Sequence, residues 1–276
     1  YNKDRRTGVD FNLNLNKKFG QVETILGFSG MYFSSKAIRR DEVFQDDYQY
    51  RVGKPLDSYW GYISEGLFMN EADIENHARQ TFGDVKPGDI KYKDVNGDGI
   101  IDSRDQVDLG HNGWAVSPFS YGMNFTLKWK NLTLFAMGTG SSGSIGFKNS
   151  SYYWIRGNSK YSDVVLDRTT IEKNDADEWA VTNIGSYPRL TTTDNSNNFQ
   201  NSTFWMYKTK RFDLAKIQLT YDFSNLLKHN AIVNGLNVYM SGESLLTISN
   251  ERKLMETNIG SAPQNRHFNI GLKASF

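Results

Sequence analysis

The sequence predicts an all-β protein, a transmembrane antiparallel β-barrel with long extracellular loops, on the basis of three observations. The first is the C-terminal segment Arg266–Phe276, in which apolar and polar residues alternate over eleven positions. A period of two is typical of a β-strand with one apolar and one polar face, and eleven residues is the length that a tilted strand needs to cross a bilayer. The other two observations are the repetition of this pattern and the lengths of the connections.

Seven segments of the chain show the alternating pattern. They are Val9–Phe19, Val22–Ser34, Phe119–Trp129, Leu132–Thr139, Arg211–Phe223, Gly235–Ser244 and Arg266–Phe276. Gly20-Gln21 and Lys130-Asn131 lie between successive strands and suit tight turns. The sequence therefore predicts antiparallel hairpins.

The connections between the predicted strands are lopsided. Those after the first, third and fifth strands are short, whereas those after the second, fourth and sixth cover 35–118, 141–210 and 245–265. Bacterial outer-membrane barrels have short periplasmic turns and long extracellular loops. We therefore expect residues 35–118 and 141–210 to be extracellular loops and the C-terminus to lie at the periplasmic face. Within 35–118, Asn70 can cap a short helix that ends near Gln80.

Seven strands cannot close such a barrel, because bacterial single-chain barrels have an even number of strands and at least eight. The first predicted strand, from Val9, would expose a bare edge. We therefore expect residues 1–276 to be the C-terminal portion of a larger barrel, with the other strands upstream. Phe276, an aromatic residue at the end of the last strand, is the predicted membrane-insertion terminus.

Composition excludes several classes of function. The formal net charge of +1 and the lack of a basic cluster give no reason to expect nucleic-acid binding. The absence of cysteine removes disulfides, thiolate catalysis and cysteine-based metal sites. No nucleophile elbow or phosphate-binding loop is present either, so we do not expect an enzyme.

Residues 94–105 follow the pattern of a calcium-binding loop, in which alternate oxygen ligands converge on a hard cation around a glycine turn. The predicted ligands, at positions one, three, five, seven, nine and twelve, are Asp94, Asn96, Asp98, Ile100 through its carbonyl, Asp102 and Asp105. Bound Ca²⁺ would stiffen the loop, and the apolar Ile101 at position eight is expected to pin it inward. Asp105 replaces the usual glutamate, and the flanking helices of an EF-hand are missing. The alternative is a metal-free loop rich in Asx turns.

Three consecutive aromatic residues, Tyr152, Tyr153 and Trp154, lie in the second predicted loop. Aromatic side chains of this kind can stack on sugar rings or pack against a partner protein, which makes them candidate substrate-binding residues. The alternative is that they pin the loop onto its neighbours.

Pro87–Asp102, followed by Pro118–Asn124, is the most specific of several segments that together resemble a known family. That family is the SusC/RagA-like TonB-dependent transporters of Bacteroidetes. Tyr59–Tyr62 with Glu65–Phe68, Tyr187–Leu190 and the terminal Phe276 are similar to the same family. The resemblance spans nearly the whole chain.

The resemblance implies a barrel of about 22 strands with an N-terminal plug, a TonB box and a SusD-like surface lipoprotein outside the membrane. Such proteins import oligosaccharides or peptides across the outer membrane, using energy relayed by TonB. The plug and the TonB box would belong to an N-terminal part that this sequence does not show, so TonB would act through that part.

Two other classes of protein fit some of these features. One is a soluble calcium-binding carbohydrate-recognition module built as a β-sandwich, in which the apolar strand faces would pack into a private interior. The other is an outer-membrane enzyme, which would need a converging Ser/His or carboxylate pair.

Overall fold

The computed structural model describes residues 1–112, 117–193, 195–226 and 233–276. In chain order the strands are β1 (Lys3–Phe19), β2 (Val22–Arg39), β3 (Ser58–Gly61), β4 (Ser64–Leu67), β5 (Arg79–Gln80), β6 (Ile90–Tyr92), β7 (Ile100–Ile101), β8 (Val107–His111), β9 (Phe119–Trp129), β10 (Leu132–Ser142), β11 (Ile145–Phe147), β12 (Thr170–Lys173), β13 (Trp179–Asn183), β14 (Met206–Lys208), β15 (Arg211–Asp222), β16 (Gly235–Ile248) and β17 (His267–Ser275). The α-helices are α1 (Glu71–Glu75) and α2 (Arg252–Thr257), and short 3₁₀ helices cover Asp47–Gln49, Ser103–Asp105, Asp163–Asp167 and Ser224–Leu226.

Seven long strands form one sheet in the order β1-β2-β9-β10-β15-β16-β17. These are the seven predicted strands, and the pairs from β2 to β17 are antiparallel, as predicted. Three bounds differ most from prediction. Strand β1 begins at Lys3, and β2 continues to Arg39, so the predicted loop 35–118 starts later. Strand β16 continues to Ile248, so the predicted loop 245–265 also starts later, and it contains α2.

Strand register places the apolar residues of neighbouring strands on one common face. Phe125 of β9 lies opposite Leu26 of β2 and Ala136 of β10, and Met240 of β16 lies opposite Ile270 of β17. Directly opposed residues point to the same side of a sheet. The alternation read from each strand therefore combines into a continuous apolar face.

This apolar face is exposed. Leu13 retains 64% of its accessible surface, Ile270 retains 78% and Leu272 retains 71%. In a β-sandwich these side chains would be buried against a second sheet. Because no other layer of the described residues covers them, the geometry fits a barrel wall and contradicts the sandwich alternative.

The first hairpin turn depends on a glycine. Gly20, between β1 and β2, has φ +61°, in the left-handed region that L-residues with a side chain rarely adopt. The equivalent turn between β9 and β10 places Lys130 at φ 51°. Both predicted turns therefore form, and they set the register of their hairpins.

The chain divides into two compact units. The sheet unit contains the described residues within 6–34, 113–144 and 208–276, and the loop unit contains 1–5, 35–112 and 145–207. The two long predicted loops thus supply nearly all of a folded body. Within it, short strands pair as β3-β8, β4-β6, β5-β7, β12-β13 and β11-β14.

The loop unit has its own hydrophobic core. The buried members of this core come from both long segments and are Tyr62, Ile90, Tyr92, Ile101, Ile145, Phe147, Ile155, Val165, Tyr187 and Trp205. At its surface Asn70 caps α1 as predicted, accepting a hydrogen bond from the Asp73 amide at 2.8 Å. The helix ends at Glu75 rather than near Gln80, because Arg79 and Gln80 pair with Ile100 and Ile101 as strands.

Neither helix in the described part of the chain has the length and apolarity that a membrane-spanning helix requires.

Candidate functional site

The predicted calcium loop lies in the loop unit and contains β7 and the 3₁₀ helix Ser103–Asp105. Its glycines make the predicted sharp turn, since Gly97 and Gly99 have φ +75° and +79°. Ile101 is fully buried in the core. Ile101 thus pins the loop inward, as the sequence pattern predicts.

The first three predicted ligands accept hydrogen bonds from nearby backbone amides. Asp94 accepts from Gly97 N at 2.7 Å and from Gly99 N at 2.8 Å. Asn96 accepts from Asp98 N at 3.1 Å, and Asp98 accepts from Ile100 N at 2.9 Å. These are the local side-chain-to-backbone bonds of Asx turns. The side chains of the loop therefore satisfy the hydrogen bonding of its own backbone amides.

The last two predicted carboxylate ligands, Asp102 and Asp105, form other contacts. Asp105 is completely buried and accepts hydrogen bonds from Val95 N and Asp102 N, both at 2.8 Å. Asp102 binds Arg104, whose guanidinium lies 3.0 Å from Asp102 Oδ2 and 2.6 Å from Asp98 Oδ2. The hydrogen bond from Arg104 lowers the pKa of Asp102 below its usual value.

A guanidinium thus bridges two of the carboxylates predicted to bind calcium. Among the described residues, no three acidic, histidine or cysteine side chains are arranged to hold one metal ion. The six predicted ligands share one loop, but no three of their carboxylates are arranged around one point. Calcium binding by Asp94, Asn96, Asp98, Ile100, Asp102 and Asp105 stays a prediction.

The three predicted aromatic residues are half-buried. The Tyr152 hydroxyl donates to Asp163. Tyr153 and Trp154 pack against the loop-unit core, and the Tyr153 carbonyl accepts a hydrogen bond from the Tyr187 hydroxyl at 2.7 Å. These contacts fit the alternative role of pinning the chain. Their proposed role in substrate binding stays a prediction.

Two of the segments that carry the family resemblance meet in space. Arg189 N donates to Gly88 O at 2.9 Å, and Arg189 Nη2 lies 2.8 Å from the buried Asp89 Oδ2. Asp89 also accepts from Asn198 Nδ2 at 2.7 Å. Burial raises the pKa of Asp89, while Arg189 and the other donors oppose this shift. An ion pair enclosed in this way holds two distant parts of the loop unit together.

Sequence reasoning did not assign a role to Asp89 or Arg189. Both, however, lie in quoted motifs, Pro87-Gly88-Asp89 and Tyr187-Pro188-Arg189. The neighbouring Tyr187 is also buried, and burial raises the pKa of its hydroxyl to about 12. In the sequence, the acidic residue directly follows a glycine and the basic residue directly follows a proline. This shared position after a turn-forming residue is the signal that could have predicted their ion pair.

The terminal residue Phe276 follows β17 and is 80% exposed. Its predicted role in membrane insertion stays a prediction.

Two curated proteins are similar to the chain. TonB-dependent receptor P3 of Formosa agariphila is 23% identical over 244 residues, and TonB-dependent receptor P26 of the same organism is 27% identical over 243 residues. Each alignment covers 82% of this chain and 23% of the relative. The chain therefore spans about a quarter of the length of these relatives. No protein-family model matches it.

Solved structures show the same fold. A chain of the RagAB peptide importer in the open-open state superposes with a TM-score of 0.67 and 16% identity, covering 100% of this chain and 29% of that chain. In the closed-closed state the TM-score is 0.64 with 14% identity, covering 99% and 30% of the two chains.

The fold and the one-sided apolar sheet define part of the wall of an outer-membrane β-barrel. The predicted resemblance is confirmed by the relatives and the shared fold. The chain is similar to a segment of a SusC/RagA-like TonB-dependent receptor.

Proposed function

We propose that this chain forms part of the barrel wall and outer surface of a transporter that imports oligosaccharides or peptides across the bacterial outer membrane. The observation that carries the proposal is the exposed apolar face of the seven-stranded sheet. Lipid is the surrounding that such a face requires, because barrel strands alternate lipid-facing apolar and lumen-facing polar residues. Since TonB-dependent receptors are transporters, this reading is favoured over an outer-membrane enzyme.

The rest of the barrel is the first proposed partner. In the described sheet, β1 and β17 are the edge strands, and an edge strand presents unpaired N–H and C=O groups. Within a bilayer such groups need a partner. We infer that further strands of the same transporter pair with these edges and that its plug fills the enclosed lumen.

The long connections set the proposed orientation. Residues 35–112 and 145–207 supply nearly all of the loop unit, and long connections of bacterial barrels lie outside the cell. The loop unit would therefore face the exterior, where a SusD-like surface lipoprotein can bind it. The C-terminus would lie at the periplasmic face, and TonB would act through a part of the transporter outside this chain.

Calcium binding by the loop at 94–105 is also proposed, as a means of stiffening it. In the observed arrangement the Arg104 guanidinium forms ion pairs with both Asp98 and Asp102. Ca²⁺ and the Arg104 guanidinium would therefore compete for these two carboxylates.

Labelling of single cysteines tests the proposed orientation. This chain has no cysteine of its own, so thiols can be placed at the turn residue Gln21 and at Leu166, which is 81% exposed in the loop unit. On intact cells, a membrane-impermeant maleimide should label Leu166→Cys and leave Gln21→Cys unlabelled until the outer membrane is permeabilised. The reverse pattern would overturn the orientation, and equal labelling of both would overturn the membrane-spanning role.

A further inference from the structure

A polar cavity with a volume of about 480 Å³ lies within the loop unit. Its described lining consists of Phe82, Gly83, Asp84, Lys86, Arg156, Arg189, Thr191, Thr193, Asn195 and Ser196. We call this site the cationic cavity, because three of these side chains are basic and one is acidic. None of these residues was predicted to bind a ligand.

Hydrogen bonds join two walls of the cationic cavity. Ser196 Oγ donates to the Phe82 carbonyl at 2.6 Å, and the Asn195 amide group donates to the Asp84 carbonyl. Asn195 Oδ1 also accepts from Asn197 N at 2.8 Å, which fixes the orientation of its side chain. The segments at 82–84 and 195–196, far apart in sequence, are therefore held against each other.

The basic side chains differ in how they are compensated. Arg189 is paired with the buried Asp89. The Lys86 ammonium lies 5.8 Å from the Trp179 ring centroid, and the Arg156 guanidinium lies 5.3 Å from that of Phe199. In the part of the chain that the structure describes, neither Lys86 nor Arg156 has a carboxylate within ion-pair distance. Both positive charges thus lie against aromatic rings, and no described carboxylate pairs with either of them.

The cationic cavity also adjoins one of the predicted aromatic residues. Arg156 lies over the Trp154 ring, 5.6 Å from its centroid, and the indole Nε1 of Trp154 is buried without a hydrogen-bond partner. A planar guanidinium stacked on an aromatic ring keeps its edge donors free for an oxyanion. A carboxylate can accept two parallel hydrogen bonds from such an edge.

We propose that the cationic cavity binds a carboxylate group of the imported substrate. This inference rests on the proposed import function and favours peptides that present a side-chain or C-terminal carboxylate, or oligosaccharides that contain uronic acids. Lys86 and Arg156 supply the charge, and the threonine and asparagine side chains of the wall supply polar contacts. Arg189 also lines the cavity, but its charge is already compensated by Asp89.

Calorimetric titration of the whole receptor that contains this chain, purified in detergent, tests the proposal. The acidic probes are trigalacturonate and a triglutamate peptide with acetylated and amidated termini, and their neutral counterparts are maltotriose and a triglutamine peptide blocked in the same way. At least one acidic probe should bind about tenfold or more tightly than its neutral counterpart, and the difference should shrink as salt is raised. Whichever acidic probe binds identifies the source of the carboxylate.

Matched variants locate the binding. Lys86→Gln and Arg156→Gln should each remove most of the preference for the acidic probe. Arg156→Lys should retain only part of it, because an ammonium keeps the charge but lacks the planar edge that donates two parallel hydrogen bonds. Lys160→Gln is the control, because Lys160 is an exposed cation of the same loop outside the cavity lining. Circular dichroism verifies that each variant is folded.

Two results would overturn the proposal. One is equal affinity for acidic and neutral probes, and the other is an equal loss of affinity in Lys86→Gln, Arg156→Gln and Lys160→Gln. If either occurs while Leu166→Cys is still labelled on intact cells and neutral substrate is still taken up, the carboxylate site fails and the import function stands. If labelling and uptake both fail, the import function fails as well.

Discussion

The sheet unit of this chain exposes a face of apolar side chains, whereas the loop unit buries its apolar side chains. In the sheet unit, Leu13, Ile270 and Leu272 are 64–78% exposed on one continuous face. In the loop unit, Ile90, Tyr92 and Ile101 are completely buried. A sheet with one apolar face needs a second layer, and a lipid bilayer can supply it. The loop unit covers its apolar side chains with its own residues.

The same contrast holds for polar groups. The loop unit buries amide side chains, and these are paired: Gln80 Nε2 donates to Asn197 Oδ1 at 2.6 Å, and Ile90 N donates to Asn198 Oδ1 at 2.8 Å. Buried polar groups without such partners would be costly. In the sheet unit the polar residues of each strand point to the other side of the sheet, where water can form hydrogen bonds with them. One unit is thus organised as a globular domain and the other as a membrane wall.

The largest effect is expected from a substitution in the hydrophobic core of the loop unit. Ile90→Ala removes a completely buried side chain and leaves a cavity, so we expect the free energy of unfolding of the loop unit to fall by about 2–5 kcal/mol. Limited proteolysis across a urea series measures this loss. The control is Val43→Ala in the same unit, because Val43 is 92% exposed and such surface changes cost about 0.5 kcal/mol or less. Equal effects of both variants would contradict the proposed core.

The next effect tests which face of the sheet meets lipid. Ile270 and Asn269 are neighbours on β17, and they lie opposite Met240 and Ser241 on the two faces of the sheet. Ile270→Arg places a charge on the apolar face, which costs about 2–4 kcal/mol near the middle of a bilayer. Asn269→Arg places the same charge on the polar face and should be tolerated. The amount of folded receptor in the outer membrane measures the difference, and equal yields would show that the apolar face does not contact lipid.

The two units also differ in how far the sequence predicts them. Every strand of the sheet is recognisable because alternation over about ten residues is a local signal. The loop unit has strands of two to five residues, and their partners are distant, as when Tyr59 pairs with Gly110. Periodicity cannot be read over so few positions. The described residues of 35–112 and 145–207 therefore look like loops in sequence but fold around a core.

A similar limit applies to the calcium loop. The spacing predicts the glycine turn and the inward position of Ile101, and the structure has both. The role of Arg104 is invisible in the pattern, since the residue at that position carries no ligand in a calcium-binding loop. Only the geometry shows that its guanidinium bridges Asp98 and Asp102. A motif describes which groups are close along the chain, whereas their charge partners depend on how the loop folds.

The smallest expected effect therefore concerns Arg104. If Ca²⁺ competes with the guanidinium, Arg104→Gln should tighten Ca²⁺ binding by about tenfold, because the neutral glutamine leaves Asp98 and Asp102 without a competing cation. The starting affinity is expected in the range of about 10⁻⁴–10⁻³ M that is typical of extracellular sites. Asp98→Ala should abolish Ca²⁺-dependent protease resistance of residues 35–118 and leave the sheet strands intact. Proteolysis with Ca²⁺ or with chelator measures both variants. Resistance that is independent of Ca²⁺ in the natural sequence and in Arg104→Gln would establish the loop as a metal-free structure, held together by its Asx turns and by Arg104.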